Sequence, residues 1–191
     1  MLRVLRLLIA ATIGAVLGLG SVKAILDDPR ADFAVAIGPW RLGSGAAGDP
    51  YAAARIARAG MVGLGAAEGT AFSARTDSNG DRLDPACHYM VAGAMPAADL
   101  WTLAVTDEDG RPPVNPAGRV GFTSRDAVRA ADGTVAIGLG PTVRPRDFVP
   151  TGDLSSLRLT LRFYVSGLAG RLPRADEMPT ILKVDCGSRP S

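Results

Sequence analysis

The sequence predicts a mostly β fold, a sandwich or barrel with one early α-helix, preceded by an N-terminal transmembrane helix. About seven short segments alternate between apolar and polar residues, as strands with one buried face do. Turn signals rich in glycine, proline, asparagine and aspartate separate these segments. One uncharged apolar run stands near the start of the 191 residues. The remainder is long enough to form one domain.

The apolar run of residues 7–22 follows Arg3 and Arg6. A spanning helix needs about 20 apolar residues, and the basic residues before it stay in the cytoplasm. We therefore expect residues 7–26 to lie in the lipid bilayer of the bacterial inner membrane, with the N-terminus cytoplasmic and the main domain periplasmic. The alternative is a cleaved signal peptide, because Val22-Lys23-Ala24 offers small residues for cleavage.

The sequence divides into three parts: an anchor or signal peptide over residues 1–26, a linker and first strand over 27–48, and a β domain over 49–191. The whole chain has 21 basic and 19 acidic residues, and three of the basic ones belong to the first part, which leaves 18 against 19. Nucleic-acid binding needs a basic patch or stripe. We therefore expect no nucleic-acid partner.

The first elements follow from local patterns. Residues 33–37 alternate like a strand. A helix over 50–64 begins at Asp49-Pro50, because aspartate caps free N–H groups and proline fits the first turn. Asn79-Gly80 predicts a hairpin between strands 70–76 and 87–93, because both central positions of such a turn need positive φ.

The later elements are a short helix over 124–131 and four further strands. Each strand alternates apolar with polar residues and is bounded by glycine, proline or aspartate. Residues 157–165 have the cleanest alternation in the sequence. The four strands are residues 101–106, 135–139, 157–165 and 181–186.

Cys87 and Cys186 are the only cysteines. Two cysteines in a small exported domain usually pair, so we predict a disulfide, with two buried free thiols as the alternative. We expect each cysteine on the core face of its strand, where alternate residues share one side. The residues expected on these faces are Tyr89 and Val91 with the first cysteine, and Leu182 and Val184 with the second.

Six stretches, taken in order, resemble a bacterial family known as domain of unknown function 1214. They are GDPYAAARIARAG (48–60), the block of residues 67–93, WTLAVTDEDG (101–110), VNPAGRVGFTS (114–124), the stretch 141–152 and LTLRFY (159–164). The resemblance implies a jelly-roll-type β domain, which in larger relatives follows a domain of unknown function 1254 on the same chain. It implies no established activity and no cofactor. Residues 147–150 depart from the Asn-Trp-type pair of relatives, which argues against a ligand role for that loop.

Few residues suggest chemistry. The one histidine, His88, adjoins Cys87, but neighbouring strand residues point to opposite faces and a disulfide removes the thiolate, which excludes a dyad. Neither cysteine has a CxxC partner, and the acidic turn around Asn79 lacks the spacing of a calcium loop, so we expect no metal site. The remaining candidates are Glu68, Asp84 and His88 for catalysis, and Trp40 and Arg75 for binding.

Two functions fit these observations. The preferred hypothesis is a non-catalytic, membrane-anchored module that binds a ligand of unknown kind or a protein, and that docks with a separate protein carrying a domain of type 1254. The alternative is an envelope hydrolase that uses carboxylates such as Glu68 and Asp84. Convergence of Glu68, Arg75 and His88 in one deep pocket would favour the enzyme.

Overall fold

The structure is a computed structural model that describes residues 2–27, 33–43, 54, 57–58, 69–166 and 171–187. The chain divides into two compact units. The first comprises Met1–Phe33 and Ser44–Gly63, and the second comprises Ala34–Gly43 and Leu64–Ser191.

The first unit contains α1 (Leu2–Asp27), a helix long and apolar enough to cross a membrane. Its 26 residues span about 39 Å at 1.5 Å per residue, more than the roughly 30 Å of a bilayer core. At its end, Asp27 accepts hydrogen bonds from Lys23 and Arg58 at 2.7 and 2.8 Å. A membrane anchor and a signal sequence can both be helices of this length and apolar composition. Of the helix predicted over residues 50–64, only residues 54, 57 and 58 are described, and they are helical.

The described part of the second unit contains ten strands in two sheets. The six-stranded sheet has the spatial order β1 (Phe33–Ile37), β2 (Trp40–Gly43), β3 (Gly69–Ala74), β9 (Arg158–Ser166), β5 (Ala98–Thr106) and β6 (Gly121–Thr123). The four-stranded sheet has the order β10 (Thr180–Cys186), β4 (Cys87–Gly93), β7 (Val135–Gly140) and β8 (Phe148–Pro150). A 3-10 turn at Ala175–Glu177 precedes β10. The described strands form a sandwich and not a closed barrel, since no hydrogen-bonded strand pair joins the two sheets.

The core lies between the sheets and consists of alternate strand residues, as the sequence predicts. Leu159, Leu161 and Phe163 of β9 are completely buried, and Phe163 packs edge-on against Phe72 with ring centroids 6.1 Å apart. Burial of each such side chain contributes about 1.5–3 kcal/mol. Further core residues on the other strands are Trp101, Leu103, Val105, Tyr89, Val91, Ile137 and Leu139.

The predicted hairpin across Asn79-Gly80 is wrong. β3 pairs with β2 and β9, whereas β4 lies in the other sheet between β10 and β7. The turn itself is present: Gly80 has φ 93°, and the buried Asp77 accepts the N–H groups of Asn79 and Asp81 at 2.9 and 3.0 Å. Thr76 and Arg82 form a single β-bridge across this turn, and the chain then crosses to the second sheet.

The predicted short helix over residues 124–131 is also wrong. The segment is a series of turns that ends in a bridge between Arg129 and Val135. Asp126 turns back to bind the N–H and hydroxyl of Thr123 at 2.5 and 2.6 Å. These local side-chain bonds compete with helix formation, as they do for aspartate and threonine generally.

The disulfide is confirmed, but the predicted face of β10 is not. Cys87 and Cys186 are directly opposite each other and bonded. The register shifts between Lys183 and Asp185, so a bulge reverses the alternation just before Cys186. Leu182 and Val184 are therefore 47% and 52% exposed, and Ile181 is the β10 residue in the core.

Polar groups bind both edges of the four-stranded sheet. At β10, Ser78 donates its N–H to the carbonyl of Ile181 and accepts the Ile181 N–H on its hydroxyl, both at 2.9 Å. At β8, the Asn115 amide donates to the carbonyl of Pro150 at 3.2 Å. The backbone N–H and carbonyl of Ile181 and the carbonyl of Pro150 therefore have partners at these edges.

Candidate functional site

The side of the four-stranded sheet that points away from the core carries the most organised polar cluster in the described part of the chain. Because Tyr89 and Val91 point into the core, the residues between and beside them point outward. We call this surface the outer face. By strand register, its members are His88, Met90, Ala92, Ala136, Gly138, Gly140, Phe148, Thr180, Leu182 and Asp185.

His88 is the centre of this cluster. Only 5% of the residue is exposed, although it points away from the core. Its Nδ1 lies 2.9 Å from an Asp185 carboxylate oxygen, and its Nε2 lies 2.9 Å from the hydroxyl and 3.1 Å from the carbonyl oxygen of Thr142. A carbonyl oxygen only accepts, so Nε2 donates to Thr142.

Arg144 completes the cluster. One of its terminal nitrogens donates to both oxygens of Asp185, at 2.8 and 2.9 Å, and lies 3.2 Å from His88 Nδ1. The hydrogen bond from Arg144, with a smaller contribution from His88, holds the pKa of Asp185 below its ordinary value. Asp185 is therefore an ionised carboxylate at neutral pH, with two internal partners.

Two glycines make room for the aromatic rings of the outer face. A Cβ on Gly140 would lie 2.3 Å from the His88 ring, and a Cβ on Gly138 would lie 2.7 Å from the Phe148 ring. The two rings therefore lie directly on the backbone of β7, with centroids 6.2 Å apart. This close approach explains how the imidazole is buried on an outward-facing strand position.

Replacing Gly140 with alanine is expected to destabilise the fold by about 1–3 kcal/mol, because the buried His88 ring has no free space to move into. Urea unfolding measures the loss. In a His88→Ala background the same change should cost clearly less, since the colliding ring is gone. An equal cost in both backgrounds would show that the ring is not what the added methyl group meets.

The lowered pKa of Asp185 predicts that the folded protein loses stability at acidic pH. A carboxylate with a lowered folded pKa stabilises the fold above its unfolded pKa of about 3.9, and this contribution disappears as the pH falls through the folded pKa. The urea midpoints of the natural protein and Asp185→Asn should therefore differ above about pH 5 and converge as the pH falls below about 3.9. Asp99→Asn is the control, because Asp99 makes no ion pair within the described residues. A constant difference across this range would contradict the assignment.

Apolar side chains surround the cluster. Leu182 and Val184 precede Asp185 on β10, and Val143, which is 70% exposed, precedes Arg144. An exposed valine therefore precedes each member of the Asp185–Arg144 ion pair in the sequence. Both ring nitrogens of His88 have partners within the protein.

Of the other two candidate catalytic residues, only Asp84 is described, and it does not lie beside His88. Glu68 lies outside the described residues. Asp84 is exposed and its N–H donates to the hydroxyl of Tyr89 at 2.9 Å, and burial raises the pKa of that tyrosine. Because Tyr89 and His88 point to opposite sides of β4, Asp84 and His88 are separated by the sheet. Arg75 follows β3 in the other sheet and is half-buried.

Trp40 is a core residue. Its side chain is completely buried, and its indole N–H donates to the carbonyl of Pro179 at 2.6 Å. Among the described residues, there is no group of three histidine, cysteine, aspartate or glutamate side chains placed to hold a metal ion.

Sequence reasoning missed Asp185, Arg144, Thr142 and Gly140. The disulfide could have indicated Asp185. If Cys87 and Cys186 are direct neighbours on antiparallel strands, then His88 and Asp185, which are next to them in the sequence, also oppose each other. Arg144 lies 56 residues from His88, and no local pattern indicates the contact.

Comparisons with known proteins identify the family and the fold. The model of the family described as Protein of unknown function (DUF1214) matches residues 68–167. No curated protein sequence matches the chain. The VPA0106 protein from Vibrio parahaemolyticus is similar in structure, with a TM-score of 0.62 and 20% identity over 93% of this chain and 45% of that chain. An uncharacterized protein from Burkholderia cenocepacia has a TM-score of 0.46 and 17% identity over 91% and 42%. The chain thus spans less than half the length of both.

Proposed function

Since the chain belongs to the DUF1214 family, we propose that it is a membrane-tethered, non-catalytic binding module that docks with a separate protein carrying a domain of type 1254. In this proposal the β sandwich works on the periplasmic side of the bacterial inner membrane. The jelly-roll class that the family resemblance implies belongs to the same proposal.

Two features support the location. α1 has the length and composition of a membrane span, and Arg3 and Arg6 near its start favour a cytoplasmic N-terminus. The Cys87–Cys186 bond favours an oxidising compartment, since disulfides persist outside the cytosol. Both features agree with a domain that faces the periplasm.

The single observation that carries the docking proposal is the length ratio. The similarity to the VPA0106 protein extends over 93% of this chain but over only 45% of that protein's chain. The similarity therefore extends over about one half of that longer chain. We propose that a second polypeptide supplies a counterpart of the other half, and that the two associate without a covalent link.

Purification from membranes tests this function. The full chain with a C-terminal tag is solubilised in mild detergent, and co-purifying proteins are identified by mass spectrometry. We expect a protein with a domain of type 1254 in near-equal amount, and none with an unrelated tagged single-span protein. Recovery of the chain alone, or only with copies of itself, would overturn the proposal. Intact mass without reductant measures in the same sample whether α1 is retained.

We prefer the binding module to the hydrolase for a geometric reason. Asp84 and His88 are on opposite sides of the four-stranded sheet, and the nitrogens of His88 already have internal partners. No observation on the described residues favours carboxylate chemistry.

A further inference from the structure

We propose that the docking surface is the outer face together with loop 141–147, and that it receives a protein surface with an apolar centre and a carboxylate opposite Arg146. This inference rests on the proposed function for the existence of a partner and adds the place and chemistry of the contact.

Two residues of β10 expose apolar side chains where a solvated strand is normally polar. Leu182 and Val184 are about half exposed, and Val143 in the loop is more exposed still. An ion pair links the two segments that carry them, because Asp185 follows Val184 and binds Arg144, which follows Val143. The outward residues of β9 in the other sheet are different in kind: Arg158, Thr160, Arg162 and Tyr164.

The surface is held rigid before any partner arrives. His88 ties β4 to β10 through Asp185 and to the loop through Thr142, and the adjacent Cys87–Cys186 bond fixes the end of β10. A preorganised surface loses little side-chain and loop entropy on binding, so more of the contact energy appears as affinity.

Charge defines the partner's chemistry. Arg144 is neutralised by Asp185, and the Asp147 carboxylate accepts the N–H of Val128 at 2.6 Å. The exposed guanidinium of Arg146, in contrast, makes no hydrogen bond or ion pair within the described residues. Arg146 also has φ 134°, a strained value that non-glycine residues keep chiefly at functional positions. A carboxylate is the group that a guanidinium binds best, through two parallel hydrogen bonds.

Site-specific photocrosslinking in intact membranes tests the inference. A photoreactive amino acid replaces Leu182, Val184 or, as the control, Val120, one position at a time in the full chain. The exposed fraction of Val120, 43%, is similar to that of Leu182. Its carbonyl accepts a hydrogen bond from β5 in the other sheet. We expect adducts with a protein carrying a domain of type 1254 from positions 182 and 184 but not from 120.

Charge reversal supplies the second readout. Arg146→Glu should lower the adduct yield at position 184 about tenfold, as expected for loss of a charged hydrogen-bonded pair. Arg125→Glu, at an exposed turn after β6, should leave the yield unchanged.

Three results would overturn the inference: equal adducts from position 120, an adduct between two copies of this chain, or a yield that does not respond to Arg146→Glu. A co-purifying partner without adducts from positions 182 and 184 would overturn the inference and leave the proposed function standing. Absence of both partner and adducts would overturn the two together.

Discussion

Replacing Cys87 and Cys186 together by serine is expected to lower the free energy of unfolding by about 2–5 kcal/mol. The bond joins residues 99 apart in the sequence, and a loop of about 100 residues corresponds to about 4.7 kcal/mol in the chain-entropy model. Urea unfolding at neutral pH measures the difference between the double variant and the oxidised natural protein.

The reduced natural protein is the matched control for this prediction, since it lacks the bond but keeps both sulfur atoms. It should unfold at nearly the same urea concentration as Cys87→Ser/Cys186→Ser. If the double variant were as stable as the oxidised protein, the bond would not contribute to stability, and the edge of the four-stranded sheet would be held by packing and hydrogen bonds alone.

Replacing Trp40 by alanine is expected to cost about 3–5 kcal/mol, because the side chain is completely buried and its removal leaves a large cavity. Trp40→Phe keeps part of the ring but removes the donor to the Pro179 carbonyl. That change should cost less than the alanine variant, with about 1–3 kcal/mol attributable to the unsatisfied carbonyl.

Trp101 provides a matched control for the hydrogen bond. It is as buried as Trp40, but its indole nitrogen has no hydrogen-bond partner among the described residues. Trp101→Phe should therefore cost less than Trp40→Phe in urea unfolding followed by circular dichroism. Equal costs would show that ring volume, and not the bond to Pro179, accounts for the loss.

The strands were predictable because their signal is local. Leu159, Leu161 and Phe163 alternate with polar residues, and all three are in the core. Strand pairing was not predictable in the same way. The turn at Asn79-Gly80 forms, yet β3 pairs with β9, whose residues lie about 90 positions later, because burial between two sheets decides the partner.

The candidate site was only partly predictable for the same reason. The sequence singles out His88 because it is the one histidine, and the disulfide fixes which strand lies beside it. The bulge before Asp185, which exposes Val184, has no local signature in the sequence. The His88 ring of β4 occupies the place that a side chain at Gly140 of β7 would take. This contact depends on the pairing of the two strands, which the sequence does not show.

The hydrogen bonds between Ser78 and Ile181 have a consequence wherever copies of this protein are crowded together. An open edge strand acts as a template on which neighbouring molecules add strand by strand into fibrils. Because the backbone groups of Ile181 on that edge are already bonded within the chain, another copy cannot pair with them. Recognition can then depend on side chains, which discriminate between partners, whereas bare backbone does not.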